Sequence, residues 1–385
     1  MAQGEVVTFD YPVFCPTLPD AAELMEQMRA IFASGRVTLG EHVANFEQDI
    51  CERTGVNQAV AVSSGTAALM LLIRALGLPK GGEVITPSYT FAATTHALLW
   101  NELNPVFCDI EPDSFTMNPS EASKLITERT VAIYPVCVFG TPGDLDAYQR
   151  LADKHGLPLI YDSAQGLGAT YKGVSLGSFG RAEVFSLSPT KVVTAIEGGL
   201  VTTNAPELAD QLRSMRDYGK APNGEDMHLL GLSARMSEVN AIVGRWSLAR
   251  LDTWLSARRA IMERYHELLS SLPGIRFQSI PSHIASSRNY VVIVICPRQS
   301  RVTRDQLYSY LKSHGIQTKR YFYPAVHKQT LYQGVDPGCE SRLPVTELVS
   351  ASSLALPMYS HMTMETVDRI CEVVVEYFDQ PALQA

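Results

Sequence analysis

The chain has 385 residues, of which 46% are hydrophobic and 19% charged, and a formal net charge of −8. That length exceeds what one core usually holds, so a large domain and a smaller one are expected. The negative balance and the absence of a Lys/Arg-rich run argue against a nucleic-acid or anionic-membrane surface, and apolar runs such as 67–73 and 291–296 fall far short of the ~20 residues that span a bilayer.

The first residues lack the basic start and apolar stretch of a signal peptide. Cys15, Cys51, Cys108, Cys137, Cys296, Cys339 and Cys371 are scattered and form no C-x-x-C pair. Reduced thiols are expected, with no disulfide frame and no zinc site, in a soluble cytoplasmic protein.

Residues 1–20 carry Pro12, Pro16 and Pro19 and read as an extended arm. The spacing of Leu24, Met28, Ile31 and Phe32 predicts a helix over 21–34, stopped by Gly35. Val43, Phe46 and Ile50 predict another over 43–54, stopped by Gly55. A short apolar strand at 58–62 runs through Ser63-Ser64-Gly65-Thr66 into a strong helix former at 67–76. The alternation continues with strands at 83–85, 104–109, 130–136 and 157–162 and helices at 92–100, 120–127 and 145–155. Such alternation means βαβ units and a mainly parallel sheet flanked by helices. Residues 184–187 and 199–203 read as two further strands and 207–218 as a helix. Met236, Val239, Val243, Trp246 and Trp254 follow a helical stripe over 233–255, which can extend to 269 as a connecting helix. Beyond Pro273, strands at 275–280, 290–295 and 318–321 and helices at 304–313 and 364–378 describe an α+β body. The expectation is a large α/β domain with the arm over 1–255 and a small C-terminal α+β domain over 256–385.

Four places in this frame carry chemistry. Lys191 lies just past the strand ending at Leu187, between Pro189 and the pair Gly198-Gly199. Hydroxyls precede it at Ser186, Ser188 and Thr190, and apolar residues follow at Val192, Val193, Ala195 and Ile196. A lysine there is either a solvated surface charge or an amine nucleophile of the kind that pyridoxal phosphate (PLP) enzymes use. Ser64-Gly65-Thr66-Ala67, between a strand and a helix, is either an anion cradle or an ordinary helix cap, and Ser186 is a candidate extra donor. Asp162 closes a buried strand at its carboxyl end, where α/β folds place ligands; it is either a partner for a ring nitrogen or another cap, and Gln165 stands within reach of a ring oxygen. Phe91 is either a plate for a flat ring or plain core. Their order, each at a strand end of one sheet, makes the set specific.

With these residues, the chain resembles the DegT/StrS family of PLP-dependent sugar aminotransferases, a fold type I group. The matching stretches include 63–69, 83–94, 161–169, 177–180, the Lys191 run, Arg235-Met236-Ser237-Glu238 and Tyr323-Pro324-Ala325-Val326-His327, spread over about 35–360. The resemblance implies that Lys191 forms the internal aldimine, Asp162 binds the pyridine nitrogen, Gln165 meets the ring oxygen and Phe91 stacks on the ring. It implies that Thr66, Ala67 and Ser186 hold the phosphate, and that the protein is a homodimer with its sites at the subunit interface. The implied reaction transfers an amino group from glutamate or glutamine to a nucleotide-linked keto sugar. Lys319, Arg320, Tyr321 and His327 belong to a polar, basic run that either meets a substrate diphosphate or is a solvated strand and loop.

The chain departs from the family pattern at three positions. Ser233 stands where an Asn is usually donated to the neighbour's phosphate, Cys137 where a histidine is common, and Ile196 where a glycine usually precedes Glu-Gly-Gly. Two alternatives share the frame: a PLP enzyme acting on a non-nucleotide keto sugar or a small amino acid, and a non-catalytic regulator. The presence of both Lys191 and Asp162 counts against the regulator.

Overall fold

A computed structural model describes residues 9–380. Helix α1 (Ala21–Ser34) starts on a capping box between Asp20 and Glu23 and stops at Gly35, which takes the left-handed backbone a side chain would resist. Helix α2 (Glu41–Thr54) has no cap of its own. The buried Glu238 carboxylate instead accepts from the backbone N–H groups of Gly40, His42 and Val43 at 2.8, 2.9 and 3.0 Å. A Cβ at Gly40 would lie 2.6 Å from Glu238 Oε2, so only glycine allows this approach.

The chain then alternates: β1 (Gln58–Val62), α3 (Gly65–Ala75), β2 (Glu83–Pro87), α4 (Ala93–Trp100), β3 (Asn104–Cys108), α5 (Pro119–Lys124), β4 (Thr130–Ile133), α6 (Leu145–His155) and β5 (Ile160–Asp162). Short strands β6 (Thr170–Tyr171) and β7 (Val174–Ser175) precede β8 (Ala182–Ser186) and β9 (Gly199–Thr203). Next come α7 (Pro206–Met215), α8 (Glu238–Leu248), α9 (Leu251–Leu269), β10 (Ile275–Phe277), β11 (Ile284–Ala285) and β12 (Val291–Ile295). The described part ends with α10 (Arg304–Ser313), α11 (Pro344–Ser352), β13 (Ser353–Leu356) and α12 (Met364–Phe378).

Strands in the orders β1-β9-β8-β5 and β3-β2-β4 are joined through parallel bridges Ile133–Leu159 and Val136–Asp162 into one sheet. Pairing is parallel except at β9, which runs against both β1 and β8. The reversal brings Gly199 opposite both Val62 and Ser186, at the carboxyl ends of the two neighbouring strands. The sheet is buried on both faces. Phe46, Ile50, Ile133 and Phe185 belong to one apolar cluster, and Leu71, Leu72, Val184 and Val201 to another. Near-continuous apolar strands are the signature of a sheet covered on both sides.

A second sheet, β10-β12-β13, is antiparallel and packs with α9, α10 and α12 around Val291, Ile293, Leu354 and Ile370. Helix α9 serves both bodies: Leu251 and Trp254 join a cluster of the main sheet, Ile261, Tyr265 and Leu269 that of the second. The continuous helix allowed over 233–269 is in fact two, broken at Ala249 and Arg250 without proline or glycine. At the break the Arg250 guanidinium lies 4.0 Å from the Trp246 ring centroid, and Trp246 meets Trp254 at 5.7 Å. The expected strand 318–321 is a single bridge, Lys319–Ala355, while 353–356, not foreseen as a strand, fills the sheet edge.

Of the expected arm, residues 1–8 lie outside the described residues. The rest follows the second body, with Tyr11 bridged to Ile316 and the Val13 carbonyl accepting from Met358 N–H at 3.1 Å. No helix among the described residues is long and apolar enough to cross a membrane.

Candidate active site

The carboxyl ends of β1, β2, β5 and β8 open into one cavity of about 340 Å³. Its wall contains Ser64, Gly65, Thr66, Phe91, Asp162, Gln165, Ser186 and Lys191, residues at or just beyond the ends of these four strands. Lys319, Tyr321, Phe322 and Tyr290 close it from the second body, and Cys137 and Glu197 complete named parts of the wall.

Asp162 is 4% exposed. Its Oδ2 accepts from the Thr94 hydroxyl at 2.7 Å and its Oδ1 from Ala164 N–H at 3.0 Å. Burial pushes its pKa above the usual carboxylate range, opposed by the Thr94 and Ala164 hydrogen bonds and by the charge of Lys191. The Gln165 carbonyl oxygen is engaged by Phe139 N–H at 2.7 Å, which fixes the amide and leaves its NH2 group available on the cavity side. Phe91 is 63% exposed, an apolar ring presented to the opening.

Lys191 sits on the loop between β8 and β9. The loop is closed at its base, where Leu187 N–H donates to Gly198 O and Ala195 N–H to Leu187 O, both at 2.9 Å. Asn289 holds the backbone on both flanks of the lysine, accepting from Val192 N–H at 3.2 Å and donating to Thr190 O at 3.4 Å. The Lys191 ammonium lies 5.9 Å from the Tyr290 ring centroid, and it forms no salt bridge among the described residues. Asn289 and Tyr290 are in turn placed by Arg258. This fully buried guanidinium donates to the carbonyls of Arg288 and Asn289 at 3.2 Å and to Ser360 Oγ at 2.9 Å.

Ile196 turns the same loop with φ of 65°, a costly backbone for a β-branched residue. Glu197 N–H donates to Ala195 O at 2.8 Å across it, and Asn240 Nδ2 braces the carbonyls of Ala195 and Glu197 at 2.5 and 2.9 Å. The effect is to deliver Glu197 to the cavity wall.

At the α3 N-terminus, Ser64 Oγ accepts from Ala67 N–H at 3.1 Å. The Ala67 N–H is therefore occupied by the cap, and Ala67 is absent from the wall that holds Ser64, Gly65 and Thr66. A Cβ at Gly65 would meet Ser186 Cβ at 2.9 Å, and one at Gly199 would meet Ser64 O at 2.4 Å, so this corner is built on bare backbone.

Three other expected site residues lie elsewhere. Ser233 is exposed and bridged to Asp217 on the segment after α7, and Arg235 beside it pairs with Asp217 at 3.0 Å. Arg320 pairs with Asp305 at 3.3 Å and stacks on Tyr308 and Tyr323 instead of turning to the cavity. His327 is 4% exposed and joins Ser88 Oγ and Glu347 Oε1, both at 2.7 Å, as an internal tie. Alternate residues of an irregular segment face different ways, so of the four expected residues in that run only Lys319 and Tyr321 reach the wall.

Two contacts could not be read from the sequence: Thr94 with Asp162 and Tyr290 with Lys191 meet only in the fold. Behind Asp162, Glu183 is also buried. Its Oε1 accepts from Gly177 and Phe179 N–H at 2.6 and 3.0 Å and its Oε2 from Ser163 Oγ at 2.6 Å, yet burial pushes its pKa up to about 7.

Residues 19–375 match the model of the DegT/DnrJ/EryC1/StrS aminotransferase family. Among solved structures, DesI, determined in the presence of its TDP-sugar product, is 35% identical over 96% of this chain and 94% of its own, with a TM-score of 0.87. S. venezuelae DesV, solved in complex with a ketimine intermediate, is 33% identical over 95% of this chain and 99% of its own, with a TM-score of 0.86. Helicobacter pylori PseC, an aminotransferase involved in the biosynthesis of pseudoaminic acid, is 26% identical over 97% of this chain and 100% of its own, with a TM-score of 0.89.

Proposed function

The chain belongs to the DegT/DnrJ/EryC1/StrS aminotransferase family and is a PLP-dependent sugar aminotransferase of fold type I; on that premise we propose that it moves an amino group from glutamate or glutamine to a keto deoxysugar carried on a nucleotide. The observation that carries this reading is the composition of this one cavity. Lys191, Asp162, Gln165 and Phe91 share its wall with Lys319 and Tyr321 from the second body.

The residues present fit the cofactor. The corner at Gly65, too tight for any side chain, lets backbone N–H groups at a helix start meet a phosphate, with Ser64, Thr66 and Ser186 as hydroxyl donors. Ala67 contributes through the cap alone. Lys191 would hold the cofactor through its amine, Asp162 would pair with the ring nitrogen, the Gln165 NH2 would meet the ring oxygen and Phe91 would cover a ring face. When bound, PLP supplies an electron sink for the charge left at carbon when an amine substrate loses its α proton.

The chain's residues do the rest. Asp162, ionised, holds the proton on the ring nitrogen. Lys191 Nζ, once released, takes the α proton from the donor and returns one to the acceptor side, the same base serving both halves. Asn289 keeps the lysine backbone in place while its amine changes partners. Lys319, over the Phe14 and Tyr321 rings at 5.2 and 5.6 Å, offers a cation to an anionic group of either substrate. A cytoplasmic homodimer is part of the same reading: Ser233 and Arg235, remote from this chain's cavity, serve the site of a second copy. The DesI structure with a TDP-sugar product supports the nucleotide-linked substrate class.

The test loads the holoenzyme with glutamate or glutamine and follows loss of the near-visible absorbance of lysine-bound PLP. Nucleotide-linked 3-keto and 4-keto deoxysugars are then added separately. Return of the absorbance with one of them, and an amino sugar by mass, is the expected result. Return only with a free keto acid or a non-nucleotide keto sugar overturns the nucleotide assignment.

A further inference from the structure

Thr94 lies in the first turn of α4, fully buried, with its hydroxyl between three oxygens: Asp162 Oδ2 at 2.7 Å, Thr90 Oγ1 at 2.8 Å and Phe91 O at 3.0 Å. It has one proton to give. A carboxylate is a stronger acceptor than a neutral carbonyl or hydroxyl and is also the nearest of the three, so the proton goes to Asp162. The Thr90 hydroxyl must then be the donor in its contact with Thr94. The result is a one-way chain, Thr90 to Thr94 to Asp162, ending on a carboxylate that has lost its water.

We propose that Thr94 is a positioning residue that keeps Asp162 ionised and turned toward the ring nitrogen of the cofactor. The inference rests on the PLP reading above and concerns only this chain's residues. Ala164 N–H fixes the other carboxylate oxygen, so each oxygen has one protein donor and retains a lone pair. The segment carrying both threonines is itself tied down, by Ser88 to His327 at 2.7 Å and by the Thr95 hydroxyl to Tyr332 at 2.6 Å. Without Thr94, burial would meet opposition from only Ala164 N–H and Lys191. The other titratable groups around Asp162 are Tyr134 and Cys137 at the end of β4 and in the loop after it, and Glu183 on β8, hydrogen-bonded to Ser163; α4 carries His96, stacked on Tyr332. Of these, only Lys191 brings a positive charge that lowers the Asp162 pKa.

The experiment measures PLP affinity of wild type, Thr94→Val, Thr94→Ser and Thr94→Cys from pH 5 to 8 by absorbance and fluorescence titration, with melting temperatures alongside. Loss of a hydrogen bond to a charged group should move the acid-side fall in affinity of Thr94→Val upward by about 1 to 2 in pH. Thr94→Ser should keep the wild-type midpoint. Thr94→Cys, with a weak S–H donor, should fall between them and stands in should the valine variant not fold. Superimposable midpoints, or an affinity loss equal at every pH and accompanied by a lower melting temperature, overturn the proposal. So does a serine variant that behaves like valine. Failure of the wild-type chain to bind PLP at all would instead overturn the cofactor reading itself.

Discussion

Glu183→Gln exchanges a buried carboxyl for an amide of nearly the same shape. In the folded protein burial lifts the Glu183 pKa from 4.5 to about 7, against the pull of three hydrogen bonds. The folded state thus binds this proton more tightly than the unfolded chain does. The stabilisation from the protonated group is full below about pH 4.5 and is lost as pH rises through about 7. The gap of about 2.5 corresponds to ~3 kcal/mol, to order of magnitude. In the variant, the amide oxygen still accepts from Gly177 and Phe179, and its NH2 donates to Ser163 Oγ, which turns to accept. Other carboxylates titrate in both proteins and cancel in the difference. Denaturant unfolding of both holoenzymes at several pH values should therefore show the stability of the variant relative to wild type climbing by ~3 kcal/mol from about pH 4.5 to about pH 8. A flat difference would mean that the hydrogen bonds hold Glu183 as an ordinary anion, and a falling one would reverse the burial argument outright.

Borohydride reduction of the PLP-loaded protein should fix the cofactor to one peptide, that containing Lys191, and Lys191→Ala should abolish both the label and turnover; label on another lysine would refute the assignment. Glu238→Ala should destabilise the fold by about 2–4 kcal/mol, since the N–H groups of Gly40, His42 and Val43 lose their shared acceptor, and a denaturant midpoint unchanged from wild type would contradict the capping role. Mixing inactive Lys191→Ala subunits with inactive Ser233→Ala/Arg235→Ala subunits should restore part of the activity if one copy completes the other's site, whereas a monomeric mass by light scattering would count against it.

The expected strands of the main sheet are present because their signals are local: apolar runs such as 58–62 and 104–108 end at turns whose residues fix where the chain leaves the sheet. The placement of Asp162, Gln165, Phe91 and Lys191 in one wall follows from that, since Asp162 ends a strand and the other three sit a few residues beyond one. What stayed hidden depends on contacts between distant segments. At the helix break the Arg250 guanidinium lies on Trp246, a contact that the periodicity does not encode. His327 looked like a substrate ligand because its neighbours are polar. Its partners, Ser88 and Glu347, come from other segments and make it an internal tie. Thr94 closes the matching stretch 83–94, but its bond to Asp162 stayed hidden, because a threonine in a first turn is ordinary until Asp162 folds beside it.

The reversed strand β9 has a consequence for how such a site can change. Because β9 runs back from the rim that β8 has just reached, the Lys191 loop leaves and re-enters the sheet at one edge, pinned where Leu187 meets Gly198. Its exposed side chains can vary without sliding any strand past its neighbour, whereas Val192, Val193 and Ala195 are buried in the core and Asn240 and Asn289 brace its backbone. Lys191 therefore rides on the loop between β8 and β9, while Asp162 and the bare-backbone corner at Gly65 belong to the frame. An engineer seeking new chemistry on this scaffold should vary the exposed residues of this loop and leave its buried residues and the strand ends untouched.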